Sequence, residues 1–176
     1  VVERLQRILR NARDIKQVIQ RVGQKMTPSQ ALPPVAKVEE RPLLRGRHIL
    51  VVDADENVRS AAHNLLERYG CIVETAHDGT EAISMVRAML DSEYDVVISD
   101  IRLPDMTGYE FMMKLQEIMD AAPLVLMTGF GWDPGHSLVK ARQAGLQAVL
   151  YKPFRLDQLL GAVELIVNSP RPVAQG

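Results

Sequence analysis

The chain has 176 residues, of which 47% are hydrophobic but only 5% aromatic, and its formal net charge is -1. That composition supports one largely aliphatic core with appendages, and the near-neutral balance gives no global attraction to nucleic acid or to an anionic membrane. No apolar stretch is long enough to span a bilayer, and Cys71 is the only cysteine, which excludes an internal disulfide and points to a cytoplasmic setting.

Residues 1–26 place Val1, Leu5, Ile8, Ala12, Ile15, Ile19, Val22 and Met26 at alternating spacings of four and three. That is the heptad seam of a coiled coil, and it predicts a signalling helix that pairs with a second copy of the chain. Packing of the helix on its own globular domain is the alternative. The same segment is rich in Arg and Lys, which reads as a solvated helix face before it reads as a partner site. Residues 27–45 hold Pro28, Pro33, Pro34 and Pro42 with few bulky side chains, the composition of an extended linker. The sequence starts at Val1 and not at Met, as an excerpt of a longer protein would.

A globular domain is expected over 46–168. Short apolar runs alternate there with helix-period segments: strands at 48–52, 71–75, 95–99, 123–127 and 147–151, and helices at 56–69, 79–90, 107–119, 134–144 and 155–167. Such alternation predicts an α/β fold with a five-stranded, parallel, doubly wound sheet. Asp78 before Gly79-Thr80-Glu81 and Asp133-Pro134 read as helix starts, and Gly70 and Gly145 as helix ends. Residues 169–176, with Pro170 and Pro172, are expected to be a disordered tail.

Asp53, Asp100, Thr128 and Lys152 each end an apolar run. The carboxyl ends of parallel strands share one edge, so these side chains are predicted to meet in a single crevice. Two carboxylates, a hydroxyl and an ammonium suit the handling of a phosphoryl group. A bland reading exists for each alone, since an Asp at a strand end can simply cap the next helix. The histidines show no metal-ligand spacing and none lies in the N-terminal segment, and there is no Gly-rich phosphate loop.

The segments VVDADENVR, VVISDIRLPDMTGYE, VLMTGFG and YKPF, in this order, resemble the receiver domain of two-component response regulators across about residues 46–168. The resemblance implies a flavodoxin-like strand order of 2-1-3-4-5. It makes Asp100 the phosphoacceptor, whose carboxylate attacks a phosphohistidine of a partner histidine kinase, with Lys152 and Thr128 binding the phosphoryl oxygens. It also implies Mg²⁺, held by Asp53, Asp100 and the backbone carbonyl of Arg102. Pro104 and Gly108 match the turn that follows the phosphoacceptor. A chain of this kind is expected to be a module of a phosphorelay, for instance the C-terminal receiver of a hybrid histidine kinase.

Three positions depart from the family pattern. Ala54 stands where a second acidic residue usually ligates the metal; Asp55 follows as a further candidate ligand, but one residue of displacement in extended chain turns a side chain to the opposite face. Val149 stands where a switch aromatic is usual, with Tyr151 beside Lys152 instead. Gly129 to Pro134 form a Gly- and aromatic-bearing loop, either a lid or a packed connection. Two other functions are therefore weighed against phosphorylation. One is a phosphorylation-independent binding module with the same fold. The other is a phosphatase, because Asp53-Ala54-Asp55 also resembles the DxD motif of haloacid dehalogenase-like enzymes, although Asn57 and the lack of a distal acidic pair argue against it.

Overall fold

The structure is a computed structural model that describes residues 40–89, 93–119, 121–129 and 136–169. The expected helix at 1–26, residues 27–39 of the linker, residues 130–135 of the loop and the tail from 170 lie outside the described residues. Within them, β1 (His48–Val52), β2 (Ile72–Ala76), β3 (Val96–Asp100), β4 (Leu124–Thr128) and β5 (Ala148–Tyr151) alternate with α1 (Glu56–Glu67), α2 (Gly79–Ala88), α3 (Gly108–Gln116), α4 (Ser137–Gln143) and α5 (Leu156–Asn168). Every strand pair is parallel, and the sheet order is β2-β1-β3-β4-β5, as expected from the sequence.

The continuous apolar runs of the central strands follow from helices covering both faces of the sheet. Because side chains alternate along a strand, Ile49, Val51, Ile98, Val125 and Met127 face one layer, formed by Ala62 and Leu66 of α1 with Leu159, Leu160, Val163 and Ile166 of α5. Leu50, Val52, Val97, Leu124 and Leu126 face the other, against Ala82, Ile83 and Val86 of α2 and Phe111, Met112 and Leu115 of α3. Both layers are aliphatic with few rings, as the low aromatic share requires.

Several boundaries differ from expectation for local reasons. Cys71 does not open β2: its N–H still bonds to Leu66 O at 3.2 Å as part of the turn that ends α1, and Gly70 makes that turn at a φ of 83° where a Cβ would be strained. Asp100 is the last residue of β3 and not the first after it. Thr107 caps α3 instead of starting it, in a capping box with Glu110. The described part of α4 begins at Ser137, and Asp133-Pro134 lie outside the described residues. The folded body also starts earlier than the expected boundary at Arg45. Pro42–Leu44 form a 3-10 turn, Leu44 is 0% exposed within the first core layer, and Arg41 pairs with Glu164 of α5 at 2.7 Å. Residues 41–45, expected as linker, are packed on the domain.

Candidate functional site

The sheet ladder carries each candidate residue to the same edge. Asp53 N–H bonds to Ala76 O at 3.2 Å, and Lys152 N–H to Thr128 O at 2.7 Å, so both residues continue their strands by one position. Asp53 and Asp100 then flank the point where the strand order reverses between β1 and β3. Lys152 reaches across from β5. Its Nζ donates to Asp53 Oδ2 at 2.6 Å and to Asp100 Oδ2 at 2.5 Å, which ties three strand ends with one ammonium.

The remaining carboxylate oxygens are held by backbone. Asp55 N–H donates to Asp53 Oδ1 at 2.9 Å and Arg102 N–H to Asp100 Oδ1 at 2.8 Å. Asp53 is only 3% exposed, and these partners satisfy both of its buried carboxylate oxygens. Burial also works against the charge on Lys152, but the hydrogen bonds it donates to Asp100 and Asp53 outweigh that and hold the ammonium above its ordinary pKa. Thr128 is buried at the end of β4, and its hydroxyl donates to Gly129 O at 3.3 Å. The structure therefore joins Asp53, Asp100 and Lys152 directly and sets Thr128 on the neighbouring strand end.

The departures have clear structural counterparts. Asp55 turns its carboxylate to the N-terminus of α1, where Oδ1 accepts from Asn57 N–H at 2.8 Å and caps the helix. Ala54 contributes no oxygen from its side chain. Among the described residues no group of three or more His, Cys, Asp and Glu side chains converges on a metal position. What remains in the described crevice is two carboxylates beside a single ammonium, a set of hard oxygen donors. Mg²⁺ commonly sits on one or two carboxylates with water and phosphate oxygens, so the set fits that ion with one protein ligand fewer. Val149 is half-buried on β5, and Tyr151, the register partner of Thr128, is 55% exposed with its hydroxyl accepting from Arg142 at 3.2 Å.

Two residues escaped the sequence reading. Arg59 of α1 donates through Nη1 to the carbonyls of Asp53 at 2.6 Å and Ala54 at 3.1 Å, which fastens the β1–α1 loop from outside. An Arg in an exposed helical turn carries no local mark of such a contact. Asp105, in the β3–α3 loop, accepts from Gly79 N–H and Thr80 N–H, both at 2.9 Å, and from Thr80 Oγ1 at 2.6 Å. Burial acts to raise its pKa, but these donors outweigh it and hold the carboxyl below its ordinary value.

Comparison with known proteins agrees with this geometry. A sequence model of the response regulator receiver domain matches residues 49–164. Protein PilG of Pseudomonas aeruginosa is 30% identical over 130 residues, covering 73% of this chain and 93% of PilG. The response regulator MprA of Mycobacterium avium is 32% identical over 124 residues, or 70% of this chain, which spans only 52% of that relative. Among solved structures, the chemotaxis response regulator CheY4 of Vibrio cholerae aligns with a TM-score of 0.60 at 28% identity, over 69% of this chain and 98% of its own. A receiver domain from Clostridium thermocellum aligns with a TM-score of 0.63 at 27% identity, over 69% and 94%. With the strand order, the crevice and the matched residues in agreement, this chain belongs to the response regulator receiver domain family.

Proposed function

We propose that this domain takes a phosphoryl group from a phosphohistidine of a partner histidine kinase onto Asp100 and passes on the change in state. The observation that carries the reading is the Lys152 ammonium shared between Asp53 and Asp100. In the step, an Asp100 carboxylate oxygen forms a bond to phosphorus as the P–N bond breaks. The imidazole leaves with that electron pair and takes up a proton. The product is an acyl phosphate on Asp100. The transferred group is rich in negative charge, so positioning and charge neutralisation matter more than acid–base chemistry.

Each residue then has a defined task. Lys152, already protonated and half-buried, stays in the crevice to pair with a phosphoryl oxygen. Thr128, on the adjacent strand end, supplies a hydroxyl to another. Asp53, Asp100 and the Arg102 carbonyl are the groups that would hold Mg²⁺, which when bound neutralises charge on the phosphoryl oxygens. Lys152 also borders an apolar groove of about 340 Å³ lined by Val58, Ala61, Leu65, Pro153 and Phe154. That groove gives a donor protein apolar surface beside the acceptor.

The test is incubation with a small acyl phosphate or a phosphohistidine donor, Mg²⁺ present, followed by intact mass. The parent gains one phosphoryl group and Asp100→Asn gains none; equal labelling of both overturns the reading. Ala54 favours a second reading, a binding module that keeps the fold without phosphorylation. A parent that takes no label at any Mg²⁺ concentration, while Ala54→Asp does, selects that one.

A further inference from the structure

The carboxylate of Asp105 belongs to the loop that follows the phosphoacceptor, yet its three hydrogen bonds all go to the start of α2. Asp78 already caps that helix through Glu81 N–H at 2.8 Å, so Asp105 satisfies a different pair of the orphan amides there. Next to it, Met106 fills the space over Gly79, where a Cβ would stand 2.5 Å from Met106 Sδ. Polar and apolar contacts thus fasten one loop to one helix end.

That loop is cross-linked within itself. Leu103 N–H bonds to Met106 O at 3.1 Å, Gly108 N–H to Ile101 O at 2.7 Å, and Arg102 bridges Thr107. Its first link is to the reacting group, since Arg102 N–H donates to Asp100 Oδ1 at 2.8 Å. Converting the carboxylate to an acyl phosphate shifts negative charge from the carboxylate oxygens to the phosphoryl group, and the bond that Arg102 N–H makes weakens from a charge-assisted one to one with a neutral carbonyl. A loop braced in this way answers as a unit, and its far end is Asp105. The route through β5 is not built here, because Val149 carries no ring and Tyr151 faces solvent with Arg142.

Resting on the assignment of Asp100 as the phosphoacceptor, we propose that Asp105 is the positioning residue that carries the phosphorylation state of Asp100 to the N-terminus of α2. The coupling is reciprocal, so the same contact lets whatever binds the start of α2 bias the phosphoacceptor loop.

Amide hydrogen exchange at Gly79 and Thr80, read by NMR on the full chain, tests this before and after addition of a small acyl phosphate with Mg²⁺. Intact mass is followed on the same samples. In the parent, labelling changes exchange at both amides. In Asp105→Ala, exchange of the unlabelled protein rises about tenfold at these positions and no longer responds, although Asp100 still takes the label. Asp105→Asn keeps an acceptor without the charge and restores part of the response, as does the milder Thr80→Val, which removes only the hydroxyl donor. A labelled parent without a response at Gly79 and Thr80 overturns the proposal alone, as does a full response in Asp105→Ala. A parent that takes no label overturns the phosphoacceptor assignment and this proposal with it.

Discussion

At the scale of single residues, the crevice departs from the family pattern most at Ala54. A missing carboxylate removes one oxygen ligand and one negative charge, so Ala54→Asp is expected to bind Mg²⁺ roughly tenfold more tightly in calorimetry and to phosphorylate faster at limiting metal. Equal affinities in the two proteins would mean that the missing ligand is supplied from elsewhere. Lys152 sets a pH dependence. Burial disfavours its charge, Asp100 and Asp53 favour it more, and its folded pKa lies above the ordinary 10.5. The stability it adds is therefore complete below that ordinary value and is lost as pH rises through the folded one. In urea unfolding, the stability difference between the parent and Lys152→Met should stay constant near neutrality and shrink only in the alkaline range above it. A gap that persists at all alkaline pH would contradict the shared-ammonium geometry.

At the scale of elements, Gly79 and Leu44 report how tightly the parts are joined. Gly79→Ala brings a methyl against Met106 Sδ, Cε and Cγ at 2.5, 2.6 and 2.8 Å; the flexible Met106 side chain must swing aside, which should cost up to about 1 kcal/mol by chemical denaturation. In a Met106→Ala background the same change should cost much less; an unchanged cost would place the strain elsewhere. Leu44→Ala, in the first core layer, should cost about 2–5 kcal/mol, because the segment ahead of β1 is part of the core. A near-neutral Leu44→Ala would return that segment to the linker. The strands were legible because burial on both faces leaves an unbroken apolar run, and Gly70 and Asp78 marked their turns by backbone and capping chemistry. Asp55 was half legible: its one-residue displacement argued against the crevice, and the cap on α1 explains where it goes. Asp105 and Arg59 were not legible. Their partners lie across loops, and no local pattern ties Asp105 to Gly79, 26 residues away.

At the scale of the whole molecule, the described domain gathers Asp53, Asp100 and Lys152 on one sheet edge, and the heptad pattern of residues 1–26 predicts that two such domains are held together. Sedimentation of the full chain against a fragment starting at Glu40 checks this, with a dimer expected only for the former. Ile15→Asp with Ile19→Asp should dissociate it, since buried like charges at a seam go uncompensated. Monomers in all three cases would leave the helix to its own domain. The fragment begins at Glu40 so that Arg41–Glu164 and the buried Leu44 stay with the fold.

The central claim is that one carboxylate, at the end of β3, receives the phosphoryl group. Its most direct test is to label the parent with a small acyl phosphate and Mg²⁺, reduce with borohydride, and map the peptides. Reduction converts an aspartyl phosphate to homoserine and leaves free carboxylates untouched. Homoserine at position 100 and nowhere else is the predicted result. Homoserine at Asp53 or Asp55, or label that survives in Asp100→Asn, would contradict the account.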